Sequence, residues 1–157
     1  GHSRRSHDYV PLRHFDLLEG LGEAELAGIE KVVEVHTRAS GTVIFREGDR
    51  ADAMYFLLSG RVSVLLPIDV RERRRIRRLT TFGAGVVFGE MALLDEGRRS
   101  ADVVCDERST VASLSLSALS RLNDGYPTVG KTIYSNLARL LARRLRAANT
   151  QIRALAR

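Results

Sequence analysis

The sequence predicts an α+β fold: an antiparallel β-sandwich or closed, jelly-roll-like β-roll of about eight strands, with short N-terminal helices, one helical turn in mid-chain and a long C-terminal helix. Three observations predict it. Apolar residues recur at helical spacing ahead of residue 34, short β-rich runs punctuated by glycine turns fill roughly 35 to 116, and sustained helical spacing then returns.

In the first segment, HFDLLEGLGEAELAGIEKVV, the apolar positions are Phe15, Leu17, Leu18, Leu21, Leu26, Ile29, Val32 and Val33. Gly20 and Gly22 interrupt the pattern, which predicts a turn followed by a helix over 23–33. The runs TVIF, AMYFLL, RVSVLL, RIRRLTTF, SADVVC and STVASLSL then alternate with turn chemistry such as REGDRAD, LSGR and FGAG. RVSVLL alternates cleanly, with Val62, Val64 and Leu66 on one side. SLSALSRLNDGYP reads as a helix closed by a Gly-Tyr-Pro breaker. Beyond it, Ile133, Leu137, Leu141, Leu145, Ala148, Ile152 and Leu155 form an apolar stripe suited to packing on the roll or against a second copy of the chain.

The opening Gly-His-Ser looks like a cloning remnant, so residues 1–11 are read as tag remnant and linker. Residues 12–157 are read as one domain, with N-terminal helices 12–33, β-roll 34–117 and C-terminal helices 118–157. On that reading the chain is an excised piece of a larger protein.

Composition excludes several classes. No apolar run approaches the roughly 20 residues of a bilayer-spanning helix. The lone Cys105 excludes an internal disulfide framework, suits a reducing cytoplasm, and reads as a buried small hydrophobe. The four His are scattered, so no metal site is expected. GAGVVFG, with Gly83, Gly85 and Gly89, misses the dinucleotide-binding spacing by one residue. No nucleophile elbow, phosphate loop or zinc-protease helix is present, so no catalytic residue is assigned and the domain is expected not to be an enzyme. The net charge of +6 is concentrated in RERRRIRR (Arg71 to Arg78) and in seven cations after Gly125. Both are read as solvated faces rather than a specific nucleic-acid site, because no aromatic residues interleave with their arginines.

FGEMALLDEGRRSA, residues 88–101, carries the chemistry. Gly89 allows close backbone approach, EMALL can form one helical turn, and the free N–H groups of such a turn seat an anion. Arg99 can fork two hydrogen bonds to phosphate oxygens and Ser100 can add a hydroxyl donor. Glu90, acceptor-only when ionised, suits a pair of hydroxyls. The residues alone leave two readings open: a seat for a sugar phosphate, or a surface Glu–Arg salt bridge on a tight turn.

The stretch resembles the phosphate-binding cassette of the cyclic-nucleotide-binding domain family, the β-roll sensor of cAMP and cGMP also found in catabolite activators. GTVIFREGDRADAMYFLLSGRVSVLL is similar to that family's first strands, with Gly41, Gly48, Asp49, Tyr55 and Gly60 at matching turns and core positions, and LRHFDLLEGLGEAEL resembles its entry helices. The likeness spans residues 12 to 145.

The resemblance implies that Glu90 binds the ribose 2′-hydroxyl and Arg99 the cyclic phosphate. Ser100 and the backbone around Phe88, Gly89, Met91, Ala92 and Ala101 would assist. Val64 and Leu79 match positions lining the base pocket, and the C-terminal helix would act as lid or dimer stripe. Two departures stand out: Arg98 occupies a position usually non-basic, so it either shares the phosphate or, the preferred reading, faces solvent, and Val86 and Val87 replace an Asp–aromatic pair. The implied function is a cytoplasmic regulatory module binding cAMP, or else cGMP, and transmitting the signal to an attached transporter, kinase or metabolic enzyme. The alternative is the sensor half of a catabolite-activator-type transcription regulator. Neither membrane insertion nor specific nucleic-acid binding by this chain alone is expected; a homodimer through the terminal stripe is.

Overall fold

The computed structural model describes residues 9–95 and 97–156. The expected tag remnant lies largely outside them. Two 3-10 turns, Leu12–His14 and Asp16–Leu18, lead into helix α1 (Glu23–Val32). Eight strands follow: β1 (Glu34–Arg38), β2 (Val43–Phe45), β3 (Ala53–Ser59), β4 (Arg61–Val70), β5 (Arg73–Gly83), β6 (Val87–Phe88), β7 (Asp102–Cys105) and β8 (Ser109–Ser115). A 3-10 turn, Glu90–Leu93, separates β6 from β7, and helices α2 (Leu116–Gly125) and α3 (Thr128–Leu155) complete the chain.

The strands form two four-stranded sheets, ordered β1-β8-β3-β6 and β2-β7-β4-β5, and every pairing is antiparallel. β3 explains how the layers fit. Successive side chains of a strand point to opposite faces. Met54, Phe56 and Leu58 join the core shared with the helices, while Leu57 joins the core inside the roll, with Tyr55 packed against it. Both faces of β3 are therefore covered, which is why its sequence is an almost unbroken apolar run. Each such buried side chain contributes roughly 1.5–3 kcal/mol of transfer free energy.

The helices are fixed at their ends. The Glu25 carboxylate accepts the Gly22 N–H (2.9 Å) at the start of α1 and the Thr128 hydroxyl (2.7 Å) at the start of α3. Ser115 Oγ caps α2 by accepting the Ala118 N–H at 3.1 Å. Pro127, which cannot donate, stands just before α3, where no helical partner for an N–H exists. Farther along α3, the buried Asn136 amide donates to the Leu17 and Glu19 carbonyls, both at 2.8 Å. It thereby ties α3 to the second N-terminal turn. Ile133 and Leu137 of the predicted stripe are buried, whereas Leu145, Ile152 and Leu155 are exposed, so the stripe runs past the surface that its own domain covers. Cys105 is buried, as its apolar run suggested.

Candidate functional site

The cassette turn hangs from the central sheet. β6 pairs with β3 (Phe88 opposite Tyr55, Val87 opposite Phe56), and the Phe88 ring stacks on Tyr55 at 5.2 Å between centroids. Gly89 then adopts the left-handed region (φ 69°, ψ 16°), reversing the chain into Glu90–Leu93. Phe88, Ala92 and Leu93 are buried and anchor this turn. A Cβ at position 89 would lie 2.9 Å from Arg99 Nη1 and 3.3 Å from the Phe45 and Tyr55 rings, so glycine is required by space as well as by φ.

Arg99 is held in place before any ligand is considered. Its N–H donates to the Asp49 carbonyl (2.7 Å), and its own carbonyl accepts the Gly48 N–H (2.9 Å). Nη1 donates to the Gly89 carbonyl at 3.1 Å and Nη2 to the Ala53 carbonyl at 2.5 Å, while the guanidinium lies 4.1 Å from the centre of the Phe45 ring. The residue is only 7% exposed and forms no ion pair among the described residues. Its Nε is the one buried side-chain nitrogen or oxygen there without a hydrogen-bond partner. Burial pushes the Arg99 pKa below its ordinary value, a shift opposed by Tyr55, Asp52, Asp49 and Glu90 in that order. A desolvated cation that lines a cavity and has no ion-pair partner among the described residues is a site for an anion, because an oxyanion would supply the missing counter-charge.

Glu90, also 7% exposed, faces the same cavity but does not pair with Arg99. Arg144, from the middle of α3, donates through Nη1 to Glu90 Oε1 and through Nη2 to the Val87 carbonyl at 2.7 Å, with its guanidinium 5.6 Å from the Phe82 ring centre. A surface Glu90–Arg99 salt bridge is therefore not what the acid and base form. An ionised carboxylate has about four lone-pair sites, so Glu90 can hold Arg144 and still accept from a hydroxyl. Sequence reading missed Arg144, which passed as one of the cations on a polar helix face. The signal was its spacing: seven residues after Leu137, it returns to the face that Ile133 and Leu137 bury. The Tyr134 hydroxyl adds a second tie from α3 by donating to the Leu93 carbonyl at 3.0 Å.

Between these groups lies a cavity of about 370 Å³. Glu90, Arg99 and Ser100 occupy its polar side, and Phe45, Val64, Phe82 and Val103 form an apolar wall. Phe88, Gly89, Met91, Ala92 and Ala101 also line it, so nearly all of the predicted set converges. Leu79 does not. A bulge between Val64 and Leu65 places Thr80 opposite Val64 and Arg78 opposite Leu65, leaving Leu79 as the extra residue, 53% exposed and outside the lining. Arg98 is exposed at the rim, where its backbone bridges to Arg50. Among the described residues, no cluster of His, Cys, Asp or Glu could hold a metal ion.

The family model of the cyclic nucleotide-binding domain matches residues 35–126, which contain every cavity residue named above except Arg144. The chain belongs to this family. It is 42% identical over 146 residues to Glutaminase 1 of Bradyrhizobium diazoefficiens, spanning 93% of this chain and 22% of that protein. It is 35% identical over 136 residues to the Cyclic AMP receptor protein of Thermus thermophilus, spanning 87% of this chain and 60% of that one. A cyclic nucleotide-binding domain from Methylobacillus flagellatus superposes with a TM-score of 0.76 at 26% identity, over 93% of this chain and 88% of the other.

Proposed function

We propose that this domain is a non-catalytic, cytoplasmic regulatory module that binds cAMP in preference to cGMP and passes the binding event through α3 to an attached domain. The observation that carries the reading is the buried Arg99, with its unpartnered Nε, in the same cavity as Glu90. The preference for adenine is supported by the wall of Val64, Phe82 and Val103, which offers carbon, because adenine carries fewer hydrogen-bonding groups than guanine to leave unpaired there. The likeness to a cyclic AMP receptor protein supports it too.

Coupling follows from the two ties between α3 and the cassette. A nucleotide hydroxyl at Glu90 meets the carboxylate that Arg144 already holds, and a shift of the cassette turn moves the Leu93 carbonyl that Tyr134 holds. Ligand binding then changes the relative stability of two placements of α3, which is the only way a ligand can transmit a signal. That the chain spans about a fifth of the glutaminase it resembles supports an attached effector, for which a transporter, kinase or metabolic enzyme each fits. The exposed Leu145, Ile152 and Leu155 suit a homodimer. A second reading, the sensor half of a catabolite-activator-type regulator, is favoured by the receptor likeness, and the sequence flanking this segment in its parent distinguishes the two.

Titration calorimetry with cAMP and cGMP tests the ligand, with tighter cAMP binding expected; absence of heat and of thermal stabilisation with both nucleotides refutes the assignment. Amide exchange along α3 with and without nucleotide tests the coupling, which predicts altered protection around Tyr134 and Arg144.

A further inference from the structure

The β4–β5 ribbon carries a second surface that nucleotide binding does not use. β7 pairs with β4 only from Val62 to Leu65, so beyond that point β4 and β5 pair with each other alone, out to Val70 opposite Arg73. This projecting ribbon and its tip hold six arginines (71, 73, 74, 75, 77 and 78) against two acids, Asp69 and Glu72. Among the described residues, only Arg78 of the six forms an ion pair, a loose one of 3.9 Å to Asp106. The register sets Arg73, Arg75 and Arg77 on one face and Arg74, Ile76 and Arg78 on the other.

Edge protection alone does not account for this pattern. Charged residues do protect an edge strand from pairing with another chain, but a few suffice, and these stand on both faces of a ribbon with no layer behind it. The ribbon is also poorly self-supporting. Two-stranded hairpins are marginal alone, and the tip places Arg71 and Glu72, rather than Asn-Gly, at positive φ (52° and 64°).

What the arginines are mixed with identifies the partner. Ile76 is 68% exposed on the face of Arg74 and Arg78, Val70 is exposed on the other face opposite Arg73, and Leu79 is exposed at the bulge, so aliphatic carbon accompanies the arginines on both faces. From Pro67 to Leu79 there is no aromatic to stack on a base and no Asn, Gln, Ser or Thr to read one. Exposed aliphatics among arginines gain nothing from a phosphodiester groove. They gain from a lipid interface, where guanidinium groups pair with anionic headgroups and aliphatic carbon enters the acyl boundary. We propose that the β4–β5 ribbon is a docking surface for an anionic lipid bilayer, independent of the nucleotide site.

The test is co-sedimentation of the 157-residue chain with vesicles of phosphatidylcholine alone or mixed with phosphatidylglycerol, at low and physiological salt. Binding that requires phosphatidylglycerol and weakens with salt is expected. R73Q/R75Q/R77Q lowers it on the order of a hundredfold, from about fivefold per arginine. Ile76→Ser lowers it several-fold with charge unchanged. Both variants keep the nucleotide-induced thermal shift of the parent, which shows that they fold. Equal binding to both vesicle types, or none to either, overturns the proposal. So does tighter binding to duplex DNA than to the anionic vesicles with no effect of Ile76→Ser.

Discussion

Gly89 lets backbone strain be separated from ligand chemistry. Gly41 (φ 86°) has no atom within 4 Å of a built Cβ, so Gly41→Ala incurs the positive-φ penalty alone, about 1–2 kcal/mol. Gly89→Ala incurs that penalty and adds a contact of 2.9 Å with Arg99 Nη1, so the guanidinium must withdraw about 0.5 Å to reach an ordinary 3.4 Å contact. Arg99 cannot do so freely, since it is bonded to the Gly89 and Ala53 carbonyls and lies against Phe45. Losing one charge-assisted bond costs about 1.5–3 kcal/mol, which makes the expected total about 2.5–5 kcal/mol. Urea unfolding of both variants measures the stability difference, and calorimetry measures the affinity. Gly89→Ala is expected to be the less stable by the cost of the displaced bond and to bind cyclic nucleotide more weakly, while Gly41→Ala keeps parental affinity. Equal stabilities and equal affinities in the two variants would refute the claim that Gly89 seats the phosphate-binding guanidinium.

Three further outcomes are expected. Arg99→Ala removes the buried counter-charge and should cost on the order of 2–5 kcal/mol of nucleotide affinity by calorimetry, whereas the exposed Arg98→Ala should cost little; the reverse order would move the phosphate to Arg98. Glu90→Gln and Arg144→Ala should be non-additive in urea unfolding, because either one breaks the same tie, and a strictly additive double variant would deny that tie. The Thr128 hydroxyl, then the Gly22 N–H, hold the Glu25 carboxyl below its ordinary 4.5. A depressed carboxylate stabilises the fold fully above that ordinary value and loses its contribution as pH falls from there through the lowered folded-state value. Thermal melts across the acid range should therefore fall more steeply for the parent than for Glu25→Gln.

What could be read from the chain follows how local each feature is. Glu90 and Arg99 are nine residues apart on one turn and the strand entry after it, so their chemistry shows in a single short window. The strands were legible because alternation is a property of consecutive residues. Arg144 reaches Glu90 only because α3 crosses back over the cassette, a tertiary fact that the sequence records faintly, in helix register. Leu79 was misplaced because a bulge adds one residue to β5 and shifts everything paired beyond it. Alternation among exposed arginines gives no sign of such an insertion.

The unpartnered Nε of Arg99 also bears on how the domain meets its surroundings. A buried guanidinium without an ion-pair partner offers inorganic phosphate or sulfate the same charge-assisted contact that it offers a cyclic phosphate. Inorganic phosphate, abundant in cells and in common buffers, is thus a standing competitor for this subsite. On the proposed function, nucleotide titrations carried out in phosphate buffer should therefore give a weaker apparent affinity than titrations carried out without it.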